Sequence, residues 1–273
     1  MNISIGLSKL IDFNKMKEIG FDGVDFYFPL DDTEKDSFID DYMLKYKEIA
    51  DAGLAVSQTH LPYWPSHYPP IGNGEYQDFE DKMLPSFIKS IELTKKMNCK
   101  TAVIHLYFEA DREKSQKGNI QLISKLLPVL EKNDVVLAIE NIYALNYSDG
   151  HLSNAEDLLF YTKHFENPHV GICLDTGHAV IRGENPLDML KCVSDDLAAL
   201  HLHTTTPGMD LHALPYFSSY EEKIDWEEFI KTLKNTKYSG SFNLELFAPV
   251  QIGKKGVEEF YKLSYTVAKN LID

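Results

Sequence analysis

Eight short, apolar, largely β-branched runs recur along this chain, each parted from the next by a longer amphipathic stretch. That alternation limits the possible folds more than any other feature. The runs fall at 3–6, 23–27, 54–60, 101–105, 135–140, 170–175, 198–203 and 241–245. Continuous short apolar runs are what strands buried on both faces of a parallel sheet require. Helical patterns occupy 13–19, 35–52, 79–97, 121–133, 154–164, 186–193, 226–237 and 257–271. Asn185 before Pro186, and Asp225 before Trp226, are N-cap signals. Ser153 is expected to cap the helix at 154–164, and Pro128 predicts a kink or a later start in 121–133. Strand–helix alternation without a Gly/Ser-rich linker or a composition break predicts one α/β domain over 1–273, a (β/α)8 TIM barrel. An open doubly wound sheet would carry a glycine-rich phosphate loop after its first strand, and Gly6-Leu7-Ser8-Lys9 is not one.

Charge narrows the partners. The formal net charge is −15, and only Arg112 and Arg182 among the 27 basic residues are arginines. A nucleic-acid binder draws most of its affinity from Lys and Arg on phosphates, so no nucleic-acid partner is expected. No apolar run approaches the roughly 20 residues that span a bilayer, so no membrane partner is expected. The opening Met1-Asn2-Ile3-Ser4-Ile5 lacks a basic region followed by an apolar stretch, and no signal peptide is expected. Cys99, Cys173 and Cys192 are odd in number and far apart, which argues against a disulfide framework and for a reducing cytoplasm.

In a barrel, chemistry collects at the carboxyl ends of the strands. Six consecutive strands here end on an ionisable residue. Strand three ends at His60, strand four at His105, strand five at Glu140, and strand six at Asp175 followed by Thr176-Gly177-His178. Strand seven holds His201-Leu202-His203, and strand eight ends at Glu245. Residues two apart share a strand face, so Ala138 and Glu140, Cys173 and Asp175, and Asn243 and Glu245 are expected to point together into the barrel. Taken singly, each residue has a bland reading: a hydrogen-bonded histidine, a solvated glutamate, an aspartate capping a short helix. Taken together, converging carboxylates repel unless a cation neutralises them. With Lys and Arg scarce at these ends, a bound metal is the simplest cation. After strand seven, Asp210 and His212 could both face the mouth if their segment is extended.

These residues as a set resemble the xylose isomerase-like TIM-barrel superfamily, which groups sugar phosphate isomerases and epimerases, ketose 3-epimerases and endonuclease IV. The resemblance covers nearly the whole chain and includes Glu18-Ile19-Gly20-Phe21-Asp22-Gly23-Val24, Ile224-Asp225-Trp226 and Tyr238-Ser239-Gly240. It implies a divalent metal held by Glu140, Asp175, a strand-seven histidine and Glu245. His201 is preferred for that histidine, with His203 as the alternative on the same face. It also implies acid and base roles for Glu140 and Glu245, and substrate contact by His178. His60, His105, His178, Asp210 and His212 complete the ligand pattern of the trinuclear site of endonuclease IV, so more than one ion is an open reading. Departures from the family lie at Thr204 and at Leu214-Pro215-Tyr216-Phe217, and they bear on substrate identity more than on metal binding.

The expectation is therefore a metal-dependent isomerase or epimerase of a small sugar or polyol, abstracting and returning a proton through a metal-stabilised enediolate. The alternatives are a hydrolase of the endonuclease IV type, with DNA disfavoured by charge, and a sugar or inosose dehydratase. Imidazole ligands favour Zn²⁺, Mn²⁺, Co²⁺ or Fe²⁺ over Mg²⁺ or Ca²⁺. Substrate contacts are expected from His178, His203, Trp64 and Tyr107. Dimers and tetramers occur in the superfamily, and no surface stripe in this sequence marks a homo-oligomer interface.

Overall fold

The runs pair in sequence order around a barrel. The computed structural model describes residues 1–7, 10–63, 76–108, 111–143, 152–217 and 224–273. Its strands are β1 Ile3–Gly6, β2 Gly23–Tyr27, β3 Ala55–His60, β4 Thr101–Ile104, β5 Val136–Glu140, β6 Val170–Asp175, β7 Leu197–His201, β8 Thr204–Thr206, β9 Met209–Ala213 and β10 Phe242–Leu244. Eight of them form one parallel sheet in the order β10-β1-β2-β3-β4-β5-β6-β7. A parallel bridge between Leu202 and Leu244, with Leu202 N–H donating to the Asn243 carbonyl at 2.9 Å, brings the two ends together. β8 and β9 form a separate antiparallel hairpin, turned at Gly208, whose φ of +81° suits glycine. Alternation alone did not indicate this hairpin, which lies over the mouth after β7.

Helices wrap the outside as expected, with caps chosen by local chemistry. Asn185 accepts from the backbone N–H of Leu187 and Asp188 ahead of Pro186–Val193, and Asp225 accepts from Glu228 N–H ahead of Trp226–Lys234. Two expectations are corrected. Asn154, not Ser153, caps the helix Ala155–Phe165, its side chain accepting from Asp157 N–H. Pro128 does not delay the start of its helix, which runs from Arg112 to Asn133. The ring and the Ser124 turn behind it lie on the exposed face, so the carbonyl deprived of its donor lies on the water side. Among the described residues no helix is long and apolar enough to cross a membrane.

The core has two parts. The larger packs helices onto the outer face of the sheet and includes Phe21, Phe87, Tyr161, Trp226 and Phe229. A small inner cluster of Val103, Ala138, Cys173 and Ala199 fills the barrel beneath β4–β7. His105, Glu140, Asp175 and His201 each stand two residues beyond one of these four. Strand alternation therefore carries them on the same inward face to the carboxyl rim. The other half of the interior is polar and hydrogen-bonded, built from Ser4, Asp25, Gln58 and Asn243.

Candidate metal centre and active site

Glu140, Asp175, His201 and Glu245 offer four donor atoms that all lie within 4.8 Å of one another. His201 Nδ1 stands 3.0 Å from Glu140 Oε1, 3.3 Å from Glu245 Oε2 and 3.8 Å from Asp175 Oδ2. Of the two strand-seven histidines, His201 is the one brought into this quartet. His60 Nε2 and His105 Nε2 both approach Glu140 Oε2, at 3.1 and 2.9 Å. On the far side, His203, His212 and Glu245 form a further donor group, and Asp210 sits 2.9 Å from His212 Nε2 and 3.6 Å from His178 Nε2. The β8–β9 hairpin delivers Asp210 and His212. His212 holds a left-handed φ of +43°, a conformation that costs a β-carbon-bearing residue roughly 1–3 kcal/mol and tends to persist where a site needs it.

The donor set suits a cation on two counts. First, the imidazoles are oriented as ligands. Nδ1 of His60, His178 and His212 faces the backbone carbonyl of Leu61, Asn141 and Glu245, at 2.7, 2.9 and 3.1 Å. A carbonyl can only accept, so it holds the proton on Nδ1 and leaves Nε2 to the site, the arrangement that metal-ligating histidines need. Second, Glu245 Oε2 and Asp210 Oδ1 are buried without a hydrogen-bond partner, a costly state for carboxylate oxygens that a cation relieves.

Electrostatics separates the carboxylates. Burial pushes the Glu140 pKa up, but His201 and His105 outweigh it and hold this carboxyl well below its usual range. Asp175 is lowered in the same way, burial being overcome by His178 and His203. Glu245 moves the other way. Burial raises it, the Glu140 charge adds to the rise, and His201 only partly offsets them. The histidines respond in turn. His178 and His201 are raised well above the ordinary imidazole value, because nearby carboxylates and, for His201, Cys173 outweigh burial. His105 is lowered because burial prevails.

These groups form the floor of a cleft of about 1260 Å³. His60, His105, Glu140, His178, Asp210, His212 and Glu245 line it, walled by Tyr27, Tyr63, Tyr143 and Phe247. Tyr27 and Tyr63 stack at 4.9 Å, and Phe247, 68% exposed, lies over His212 at 3.9 Å.

Two expected substrate contacts are corrected. Tyr107 is fully buried in the core, against Tyr76 and Phe79, because its run has already left the rim for the helix layer. His203 is also fully buried. Its Nε2 lies 3.1 Å from both oxygens of Asp175, so it braces that carboxylate and does not face the cleft. Trp64 lies outside the described residues. Two contributors were not singled out from the sequence. Asn141 locks the start of the site by exchanging bonds with the Asp175 backbone, its Oδ1 accepting at 2.8 Å and its Nδ2 donating at 2.9 Å. Asp25, on β2, stands 3.6 Å from His201 Nε2. The Ile139-Glu140-Asn141 sequence could have flagged Asn141, whereas nothing in the strand pattern distinguishes Asp25 from a solvated aspartate.

The chain is similar to an uncharacterized protein y4fM of Sinorhizobium fredii (strain NBRC 101917 / NGR234), 23% identical over 192 residues. The match covers 66% of this chain and spans 57% of that relative's length. Among solved structures, D-psicose 3-epimerase from Clostridium cellulolyticum H10 superposes with a TM-score of 0.74 at 14% identity, covering 100% of both chains. The 3-keto-D-glucoside 4-epimerase YcjR from E. coli gives 0.70 at 16% identity, over 96% of this chain and 99% of the other. At these identities the likeness speaks for the fold. The sequence profile of one family runs through residues 13–263, from the first helix into the last, and so this chain belongs to the xylose isomerase-like TIM barrels.

Proposed function

We propose that this protein is a divalent-metal-dependent isomerase or epimerase acting on a sugar or sugar-like polyol. One observation carries the proposal: three carboxylates and a histidine from β5, β6, β7 and the end of β10 converge within 4.8 Å beneath an aromatic-walled cleft. That the superposed structures are sugar epimerases by name supports the same reading.

A divalent cation held by Glu140, Asp175, His201 and Glu245 supplies Lewis acidity toward a substrate carbonyl and its neighbouring hydroxyl. Imidazole and carboxylate together favour Zn²⁺, Mn²⁺, Co²⁺ or Fe²⁺. The protein's own residues manage the proton. Glu140 and Glu245 stand on strands three places apart around the barrel, so they reach a bound sugar from different sides. One removes the proton α to the carbonyl, and the other returns it to the enediolate. His178, with Nε2 toward the cleft, is placed to accept from a substrate hydroxyl, and Tyr63, Tyr143 and Phe247 offer ring faces to the apolar face of a sugar.

A second reading, a metal-dependent hydrolase, is favoured by the adjoining donor groups around His60 with His105 and around His203 with His212, which could hold further ions. The −15 net charge opposes a DNA substrate. One experiment separates the readings. The metal-loaded protein is incubated in deuterated water with a panel of ketoses and aldoses and followed by NMR. Deuterium entering carbon-bound positions, abolished in the folded double variant Glu140→Gln with Glu245→Gln, is the expected result. Unchanged exchange in that variant removes the assigned roles. A water-loss product would instead identify a dehydratase, and cleavage of an abasic duplex a hydrolase.

A further inference from the structure

His201 is turned the other way from its neighbours. His60, His178 and His212 all point Nδ1 at a backbone carbonyl and leave Nε2 for the site. His201 instead directs Nδ1 at the three carboxylates. Its outward nitrogen, Nε2, is buried without a hydrogen-bond partner, and the acceptor it faces is Asp25 Oδ2 at 3.6 Å. Asp25 itself is 8% exposed. Its Oδ2 accepts from Asn243 Nδ2 at 2.9 Å and Gln58 Nε2 at 3.3 Å, and its Oδ1 is buried and unpaired. Among the described residues, the cationic group that ion-pairs with this carboxylate is the His201 ring alone. Asn243 is anchored in turn by Ser4, whose hydroxyl donates to Asn243 Oδ1 at 2.7 Å. The polar half of the barrel interior thus holds one carboxylate beneath one imidazole.

We infer that Asp25 is the positioning residue of His201, holding the ring so that its proton stays on Nε2 and Nδ1 is presented to the metal. Asp25 does for His201 what backbone carbonyls do for His60, His178 and His212, and among the described residues no carbonyl accepts from His201 Nε2. The ring stands about 0.6 Å beyond an ordinary N–H···O contact with Asp25, with Glu140 Oε1 3.0 Å from Nδ1 on its other side. A carboxylate below a ligand histidine fixes its tautomer and raises its basicity, and loss of such a partner typically weakens metal affinity 10–100-fold. The inference rests on the metal-site reading of the proposed function.

The test is a Co²⁺ titration against a competing chelator, with the visible absorption of the bound ion as a second readout. Asp25→Asn keeps the shape and the bonds to Asn243 and Gln58 but removes the charge. It should bind Co²⁺ 10–100-fold more weakly, with a shifted visible band and an unaltered circular dichroism spectrum. Gln58→Met, which disturbs the same polar cluster without touching His201, should bind Co²⁺ as the parent does. Equal weakening in both variants would assign Asp25 a merely structural role. Parent-like affinity and spectrum in Asp25→Asn, with a change only in KM, would make it a substrate contact. Either result overturns the inference. A parent that binds no Co²⁺ defeats the metal-site reading itself. Should Asp25→Asn not fold, ¹⁵N NMR of the Zn²⁺-loaded parent decides the matter, with the His201 resonance identified by its loss in His201→Gln. A proton on Nε2 is expected, and a proton on Nδ1 overturns the inference.

Discussion

Gly177 has no need for glycine in its own backbone. It lies within the helix Thr176–Arg182, at a φ that any residue can adopt. Helix propensity alone predicts that Gly177→Ala stabilises by about 1 kcal/mol. The tertiary structure predicts the opposite, because a β-carbon at this position would overlap the His203 ring. Overpacking of this kind costs about 1–3 kcal/mol. Displacing the ring also breaks its contact with Asp175, a charge-assisted bond worth about 1.5–3 kcal/mol. Net of propensity, the loss comes to about 1.5–5 kcal/mol. Unfolding entropy of about 2.1 cal/mol/K per residue makes 1 kcal/mol worth about 2 °C in a chain of 273 residues. Thermal unfolding should therefore show a fall of roughly 3–9 °C, with weakened Co²⁺ binding because Asp175 loses its brace. Gly183→Ala is the control. Its φ of +82° makes alanine strained by about 1–2 kcal/mol, but no atom lies near the new carbon. It should lower the melting temperature and leave Co²⁺ affinity alone. In a His203→Ala background, the penalty of Gly177→Ala should vanish. A parent-like melting temperature for Gly177→Ala, or an undiminished penalty without the ring, would refute the account.

Two further predictions follow from single contacts. Asp175→Ala removes one of the four converging donors and the cap on His178 N–H at 2.6 Å, so elemental analysis should show reduced metal, and full occupancy would count against its role as a ligand. Glu80, buried between two helices, accepts from Lys125, Tyr76 and Gln121. Burial raises its pKa, but the Lys125 and Tyr76 bonds outweigh this and leave it lowered. Its folded value therefore lies below the unfolded one, near 4.3. It stabilises the fold above that pH, and the contribution is lost as pH falls through the depressed value. Glu80→Gln should accordingly flatten the acid limb of melting temperature against pH, and parallel curves for parent and variant below about pH 5 would exclude the linkage.

The barrel was legible in the sequence because each strand is short, continuous and apolar, and because strand alternation is strictly local. β1, β2 and β6 match the predicted bounds, and β3, β4, β5, β7 and β10 differ from them only at their ends. The same alternation carried Glu140 and Asp175 to the rim above Ala138 and Cys173. The short helix Leu30–Thr33 and the β8–β9 hairpin were not legible, being brief, polar and held by contacts with distant segments. Tyr107 illustrates the limit. Sequence position put it near the rim, but packing against Tyr76 and Phe79 took it into the core.

Sequence by itself determined the parallel barrel and the carboxylates and histidines at its carboxyl end, because periodicity two residues at a time decides which face a strand residue occupies. Tertiary structure alone decided how those groups are aimed: His201 toward the quartet and His203 behind Asp175, with Asp25 beneath His201 and the His203 ring filling the space that makes Gly177 a glycine. Orientation depends on partners that are distant in the chain and meet only when the cylinder closes. No local pattern encodes those meetings, and the donor, acceptor or atom on the far side of each contact sets which nitrogen carries the proton.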